Sequence, residues 1–484
     1  MQRLVIQRVL GLLLMIFSIS MLPPLLVGYH YQEADVLSTF GTAFLATLIT
    51  GFLLWSPTRR HHADMRLRDG FIVVVMFWTV LGAFGTLPFL LSDQVQVSFI
   101  DSLFESLSGL TTTGATVLSN LDQLPRSILF YRQQLQWLGG MGIIVLAVAV
   151  LPMLGVGGMQ LYRAETPGPI KDSKLTPRIT ETAKALWYIY LSLTLLCALS
   201  YWGAGMSVFD AVSHSFSTIA IGGFSTHDAN IAHFDSAAIE WVAIIFMIIS
   251  GANFGLHFLV WRNRSILYYW RDSEFKMYVS VLAAVCLITL ISLYIYQTHA
   301  HWFHPITKAV FQVVSIGTTT GFTSENFSTW PAFLPVLLII VSFMGGCAGS
   351  TGGGMKVIRV LLLFKQGVRE LKRLVHPSAE FAVKVGKKPV DNRVIEAVWG
   401  FLSAYIAVFV VMLILLFAAG LDQVTAYSSV VATLNNLGPG LGEVAQNYAS
   451  LNWFSKSVLC LGMLLGRLEI FTLLVIFTPF FWRR

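Results

Sequence analysis

A short glycine-bearing segment recurs four times in this chain of 484 residues. The copies are Thr111-Thr112-Thr113-Gly114-Ala115-Thr116, Ala220-Ile221-Gly222-Gly223-Phe224-Ser225, Thr318-Thr319-Thr320-Gly321-Phe322-Thr323 and Asn435-Asn436-Leu437-Gly438-Pro439-Gly440. Their aligned glycines are separated by 109, 98 and 117 residues. Each copy follows a short segment of helical character and sits between two long apolar stretches. Six places before the glycine stand Ser108, Ser217, Ser315 and Ala432; thirteen places before it stand Asp101, Asp210, Lys308 and Thr425. The order of long helix, short helix, glycine loop and long helix therefore predicts four equivalent units whose loops meet on one axis.

The surroundings of those units are apolar. Only 12% of residues are charged and 55% are hydrophobic, whereas a soluble domain carries about 25% charged residues. Runs at 71–91, 135–161, 278–296, 333–355 and 398–421 are long enough to cross about 30 Å of hydrocarbon. The stretch 9–26 lacks a convincing cleavage site and reads as a retained helix. With 36–56 it forms an accessory hairpin without a glycine loop. The expected fold is an all-α integral membrane protein with ten crossings. It comprises a hairpin (1–57) and four pseudo-fourfold repeats (58–162, 163–262, 263–366 and 367–484), each helix, pore helix, filter loop, helix. Asp101 is the expected N-cap of the first short helix.

Twenty-seven of the 32 Lys and Arg fall on alternate connecting segments, ten of them within 356–393; Arg126, Arg132, Lys308 and Lys456 fall on the opposite side. Positive segments stay in the cytoplasm, so both termini are expected there and the glycine loops face outward. The net charge of +7 then reflects topology, with anionic lipid as partner, and not nucleic acid. Cys197, Cys286, Cys347 and Cys460 lie in apolar stretches with no CxxC pair and read as packing residues.

Non-helical backbone survives at membrane depth only where protein buries it or water solvates it. Glycine adopts positive φ without steric cost, which lets the preceding carbonyls turn inward and replace an ion's hydration shell. The short helices end at the loops, so their negative dipole ends favour a cation. The predicted ion-binding carbonyls belong to Thr111, Thr112, Thr113 and Gly114; Ala220, Ile221, Gly222 and Gly223; Thr318, Thr319, Thr320 and Gly321; Asn435, Asn436, Leu437 and Gly438. One glycine per loop at this position, against two in TVGYG filters, predicts looser discrimination among monovalent cations.

A second stretch, Gly345-Gly346-Cys347-Ala348-Gly349-Ser350-Thr351-Gly352-Gly353-Gly354, interrupts the second long helix of repeat three. It lacks the Gly-Lys-Ser/Thr ending of a phosphate loop, and six glycines in ten residues break a helix. It reads as a movable gate below the filter, with few apolar contacts to hold it. Arg467, inside an apolar stretch, is a functional candidate by its place, as a restrainer of that gate or as a partner of Glu469. His299, His301 and His304 read as solvated surface residues.

These four loops, the two-plus-eight topology and the break at 345–354 resemble the Trk/Ktr/HKT family of potassium transporters, across essentially the whole chain. The resemblance implies permeation of potassium and rubidium, a bacterial inner-membrane location, a homodimer, no organic cofactor, and a cytosolic nucleotide-binding ring of the TrkA type docked on basic loops such as 356–393. It carries the filter role onto the sixteen loop residues and the gate role onto 345–354. The fourth loop has no Thr before its glycine, so its contribution there is of carbonyls alone. A proton- or sodium-coupled symporter is the alternative; no buried carboxylate in a long helix announces itself as a coupling site. No paired nucleophile and base suggests an enzyme.

Overall fold

The structure, a computed structural model, describes residues 2–61, 66–145, 179–296, 303–331, 333–386 and 388–483. It is helical throughout apart from one two-stranded ribbon, Lys384–Val385 with Lys388–Pro389. By length and composition, six helices among the described residues can cross a membrane, or eight if two bent pairs each count as one span. Exposed Leu195, Leu199, Ile291, Val411 and Ile414 lie on such helices, the arrangement a hydrocarbon solvent favours.

The N-terminal hairpin forms from Arg3–Ile19 and Leu22–His30 on one side and Thr42–Trp55 on the other. Its two limbs touch backbone to backbone. A Cβ on Gly11 would stand 2.7 Å from the Gly51 carbonyl oxygen, and one on Gly51 2.8 Å from that of Gly11. Small residues permit such crossings, where dispersion replaces the missing hydrophobic drive. Glu33 in its outer loop accepts from the Ser127 N–H at 3.2 Å, and the Gln2 N–H donates to Asp69 at 3.1 Å. Both ends of the hairpin are thus tied to repeat one.

The repeats each carry a short helix ahead of the glycine segment. Their short helices are Phe99–Leu110, Val208–Ala220, Phe303–Gly317 and Gln423–Leu434. Asp101 is not the cap of the first. Ser98 accepts from the Asp101 N–H, and its hydroxyl donates back to the Asp101 carboxylate at 2.6 Å. Ser207 and Asp210 repeat this reciprocal arrangement, which satisfies first-turn donors and places a carboxylate near the positive helix end.

The second long helices of repeats one, two and four depart from expectation, while that of repeat three breaks where the sequence places the break. That of repeat two divides into Ala237–Gly251 and Phe254–Asn263, bent by 94°, and that of repeat four into Trp453–Arg467 and Phe471–Phe477, bent by 114°. Repeat three divides into Leu334–Ser342 and Val357–Val375 around the glycine stretch. Repeat one is helical over Arg126–Val145, starting well before the expected 135; its remainder to 161 and the basic segment 163–178 lie outside the described residues, as do His299 and His301. Among the described residues, a break in the second long helix is therefore shared by three repeats.

Ion pairs join neighbouring repeats toward the N-terminal ends of the short helices. Lys308 of the third short helix pairs with Glu240 of the second repeat's second helix, and both are buried. Lys456 of the fourth repeat pairs with Asp101 of the first at 2.6 Å. The two junctions are the same device with the charges exchanged. Arg132 pairs with Glu105 at 2.7 Å and donates to the Ser225 carbonyl at 3.0 Å, joining repeats one and two. The buried carboxylates that stand in these helices, Glu105 and Glu240, serve as partners for these cations.

Glu240→Gln should lower the thermal unfolding midpoint in detergent, because removing one member of a buried pair costs about 3–5 kcal/mol. The exchange Glu240→Lys with Lys308→Glu should recover much of the loss, since the Asp101–Lys456 junction already uses that polarity. Equal loss in single and exchanged variants would show that packing, not charge, holds this junction.

Candidate functional site

All four short helices end in one way. The N–H of the residue before the glycine bonds the carbonyl five residues earlier: Thr113 to Ser108 at 2.9 Å, Gly222 to Ser217 at 2.8 Å, Thr320 to Ser315 at 2.8 Å, and Leu437 to Ala432 at 2.7 Å. This is the outer bond of a Schellman cap, which turns the chain through one left-handed residue. That residue is Thr112, Ile221, Thr319 or Asn436, with φ of 54°, 55°, 69° and 53°. Glycine usually takes this position because a Cβ costs about 1–2 kcal/mol there. The glycines then add a second left-handed step, with φ of 80°, 79°, 83° and 93° for Gly114, Gly223, Gly321 and Gly438. The second step is legible in the glycines; the first is not, because Thr and Ile disfavour a left-handed conformation, and Asn436 alone is of a type that adopts it readily.

The glycines serve a second purpose. A Cβ on Gly114 would meet the Gly222 oxygen at 2.1 Å, on Gly223 the Thr320 oxygen at 2.1 Å, on Gly321 the Leu437 oxygen at 2.0 Å, and on Gly438 the Thr113 oxygen at 2.7 Å. Each contact runs from one loop to the next, and the last returns to the first. The four segments therefore close a ring of backbone around one axis. Thr111 to Thr113, Ala220, Ile221, Thr318 to Thr320 and Asn435 to Leu437 are all buried around it.

Side chains outside the ring fix its carbonyls. Gln136 holds repeat two, donating to the Gly222 oxygen at 2.6 Å and accepting from the Phe224 N–H at 3.1 Å. Asn230 donates to the Gly223 oxygen at 3.3 Å and Tyr448 to the Gly438 oxygen at 2.7 Å. Each such carbonyl keeps a second lone pair. In repeats one and three the flanking hydroxyls pair, Thr111 with Thr113 at 2.8 Å and Thr318 with Thr320 at 2.7 Å. The fourth loop replaces these pairs with braces between repeats. Asn436 donates to Thr113 Oγ1 at 2.9 Å, and Asn435 donates to Ser342 Oγ at 3.0 Å while accepting from the Tyr405 hydroxyl at 2.5 Å.

The glycine stretch of repeat three lies against the inner ends of the short helices. The Gly354 N–H donates to the Asn435 oxygen at 3.0 Å, the Gly353 N–H to Thr319 Oγ1 at 2.7 Å, and Thr351 Oγ1 to the Ile219 oxygen at 2.9 Å. A Cβ on Gly353 would stand 2.0 Å from the Asn435 oxygen. At the break of repeat two, the Cys347 N–H donates to the Gly251 oxygen at 2.8 Å and the Gly349 oxygen accepts from the Phe254 N–H at 3.0 Å. Glu274 accepts from the N–H groups of Ala348 at 2.6 Å and Ile358 at 3.1 Å, and Lys356 donates to the Gly352 oxygen. Few apolar contacts were expected to leave this stretch cheap to move; instead polar bonds to three repeats hold it.

Arg467 ends the first half of its broken helix and bridges two of these parts. It donates to Thr112 Oγ1 at 3.2 Å, to the Thr351 oxygen of the glycine stretch at 3.2 Å and to the Gly139 oxygen at 2.7 Å. Glu469 pairs with Arg359 at 2.5 Å, so Arg467 meets the stretch and not Glu469. The neighbouring break carries two left-handed residues, Glu469 and Ile470, and the Arg359 pair anchors the first of them.

The architecture has close counterparts. A profile described as "TrkH: Cation transport protein" matches residues 37–484. The chain is 57% identical to the Trk system potassium uptake protein TrkH of Vibrio parahaemolyticus, over 98% of each chain, and 56% identical to that of Escherichia coli K12, over 99% of each. The Trk system potassium uptake protein TrkG of E. coli is 40% identical over 99% of this chain and 98% of its own length. The crystal structure of the potassium transporter TrkH from V. parahaemolyticus superposes with a TM-score of 0.92 at 54% identity, covering all of both chains.

Glu274→Ala should loosen the glycine stretch, because it strands two N–H groups at about 1–3 kcal/mol each. Hydrogen exchange of the amides in 345–358 should accelerate, and Glu274→Gln, which keeps one acceptor, should change it less. Unchanged exchange in Glu274→Ala would mean that the other bonds suffice.

Proposed function

This chain belongs to the TrkH family of cation transport proteins, and on that footing we propose that it takes up potassium through a gated pore along the axis of its four glycine loops. The observation that carries this reading is the closed relay of contacts from Gly114 to Gly222, Gly223 to Thr320, Gly321 to Leu437 and Gly438 to Thr113. A ring of backbone oxygens set this tightly can replace the hydration shell of a dehydrated potassium or rubidium ion. The four helix C-termini aimed at it add negative potential. Carbonyls engaged by Gln136, Asn230 and Tyr448 have their direction set by the protein, which favours one ion radius over a smaller one.

Gating in this reading belongs to the stretch 345–354 together with Arg467. The bond from Arg467 to the Thr351 oxygen supports a closed position in which the stretch lies under the ring and a cation on Arg467 repels passing ions. Opening breaks that bond and the bonds to Thr319 and Asn435 together, which calls for an external input. A cytosolic nucleotide-binding ring of the TrkA type supplies it, on a dimer of this chain in the bacterial inner membrane with both termini cytoplasmic. Of the basic residues in 356–393, Lys356 and Arg359 are buried and occupied. Docking therefore falls to exposed residues farther along, such as Lys372 and Arg373.

Gly→Ala at Gly114, Gly223 or Gly321 should lower the preference for potassium over sodium in proteoliposomes, with Gly438→Ala milder because its Cβ has more room. Wild-type permeability ratios in all four would remove the ring from selectivity. Separately, Arg467→Ala and a shortened 345–354 should each raise the initial rate of rubidium uptake without a cytosolic partner, per inserted protein. If both folded variants conduct no faster than wild type, the gate lies elsewhere.

A further inference from the structure

The outer face carries a side-chain cluster that the transport reading does not use. Asp122 lies on the one-turn helix Leu121–Gln123, beyond the glycine loop of repeat one. His227 follows the loop of repeat two, and His233 lies on the neighbouring turn Asn230–Phe234. One ligand atom from each of the three falls within 4.8 Å of the others. His227 Nδ1 faces the Asp122 carboxylate. The His227 and His233 rings stack with centroids 3.5 Å apart and planes 3° apart, and Phe234 packs edge-on against both.

We propose that Asp122, His227 and His233 bind a divalent transition metal of the zinc class and clamp the outer segment of repeat one to that of repeat two. Two imidazoles and one carboxylate are three ligands suited to zinc, which leaves a fourth position to water. Neither ring nitrogen of His233 has a hydrogen-bond partner among the described residues, so its lone pair is available. The surrounding groups also fit. A metal-bound imidazole usually presents its other nitrogen to a carboxylate; His227 Nε2 stands 3.5 Å from Asp210 Oδ1. Asp210 is itself held by the Ser207 hydroxyl at 2.6 Å and the Thr226 hydroxyl at 2.8 Å.

The competing account is a protonated His227 shared between two carboxylates. Burial alone would lower its pKa, but the neighbouring Asp210 and Asp122 carboxylates outweigh burial and raise it above the ordinary 6.5. A lone imidazolium explains the two carboxylates and leaves the parallel His233 ring without a role. Zinc uses all three groups. It displaces the His227 proton, since only neutral imidazole offers a lone pair, and it requires the two rings to turn out of their parallel stack so that both in-plane lone pairs converge on the ion. Magnesium, which prefers oxygen ligands, should not compete.

The test is calorimetric titration of zinc chloride into detergent-purified, chelator-stripped full-length protein, with magnesium chloride as control. One saturable zinc site per chain is expected, weakened more than about a hundredfold by His233→Gln or Asp122→Asn and about 10- to 100-fold by Asp210→Asn. His299→Gln with His301→Gln should leave it unchanged. His233 is exposed, so its variant should keep the wild-type melting curve. Absence of a saturable site, or a site indifferent to His233→Gln and Asp122→Asn, overturns the assignment.

Discussion

Four turns of backbone approach one another at membrane depth with no side chain between them, and the rest of the architecture follows from that contact. A Cβ at Gly114, Gly223 or Gly321 would overlap a carbonyl oxygen of the next loop by more than any side-chain shift could relieve. The contact leaves polar backbone in a place where hydrocarbon cannot solvate it. Schellman bonds to Ser108, Ser217, Ser315 and Ala432 satisfy the helix ends. Gln136, Asn230, Tyr448 and the two asparagines of the fourth loop cover much of what remains. The shell around the ring is consequently polar while the outer surface is not.

Charge at this depth has two levels. Toward the N-terminal ends of the short helices, Lys308–Glu240 and Lys456–Asp101 join consecutive repeats, and Arg132, paired with Glu105 inside repeat one, reaches repeat two through the Ser225 oxygen, which keeps the ring from spreading. At the opposite ends of the short helices, Glu274, Lys356 and Arg467 bind the glycine stretch, and Arg359 ties its exit to the break of repeat four. Pseudo-symmetry ends there. Only one of the broken helices carries a long insertion, and that insertion spreads under its neighbours, using carbonyls such as Gly251 that the other breaks expose.

Periodicity and glycine made much of this legible. The repeat order, the short helices and the glycine position follow from local pattern, because hydrophobic length and positive φ are properties of adjacent residues. The reach of Arg467 to the glycine stretch was also foreseeable, since a charge in an apolar helix must find acceptors. The breaks at Ala252 and at 468–470 were not. No cluster of glycines or prolines marks them, and the strain of left-handed Glu469 and Ile470 is offset by a partner more than a hundred residues away. The basic residues on the outer side read as topological exceptions for the same reason. Asp101 and Lys456 are 355 positions apart and Glu240 and Lys308 are 68 apart, so no local rule pairs them.

By itself the sequence determined a fourfold helical membrane protein with a glycine turn in each unit, because those features arise from spacing and from the conformations single residues tolerate. Only the tertiary structure decided that each glycine abuts a carbonyl of the next loop, that Thr112, Ile221, Thr319 and Asn436 take left-handed conformations beside the glycines, and that the glycine stretch is held by polar bonds to three repeats. Those outcomes depend on which carbonyl meets which donor across units. That pairing is set by packing four units about one axis, and no one unit contains it.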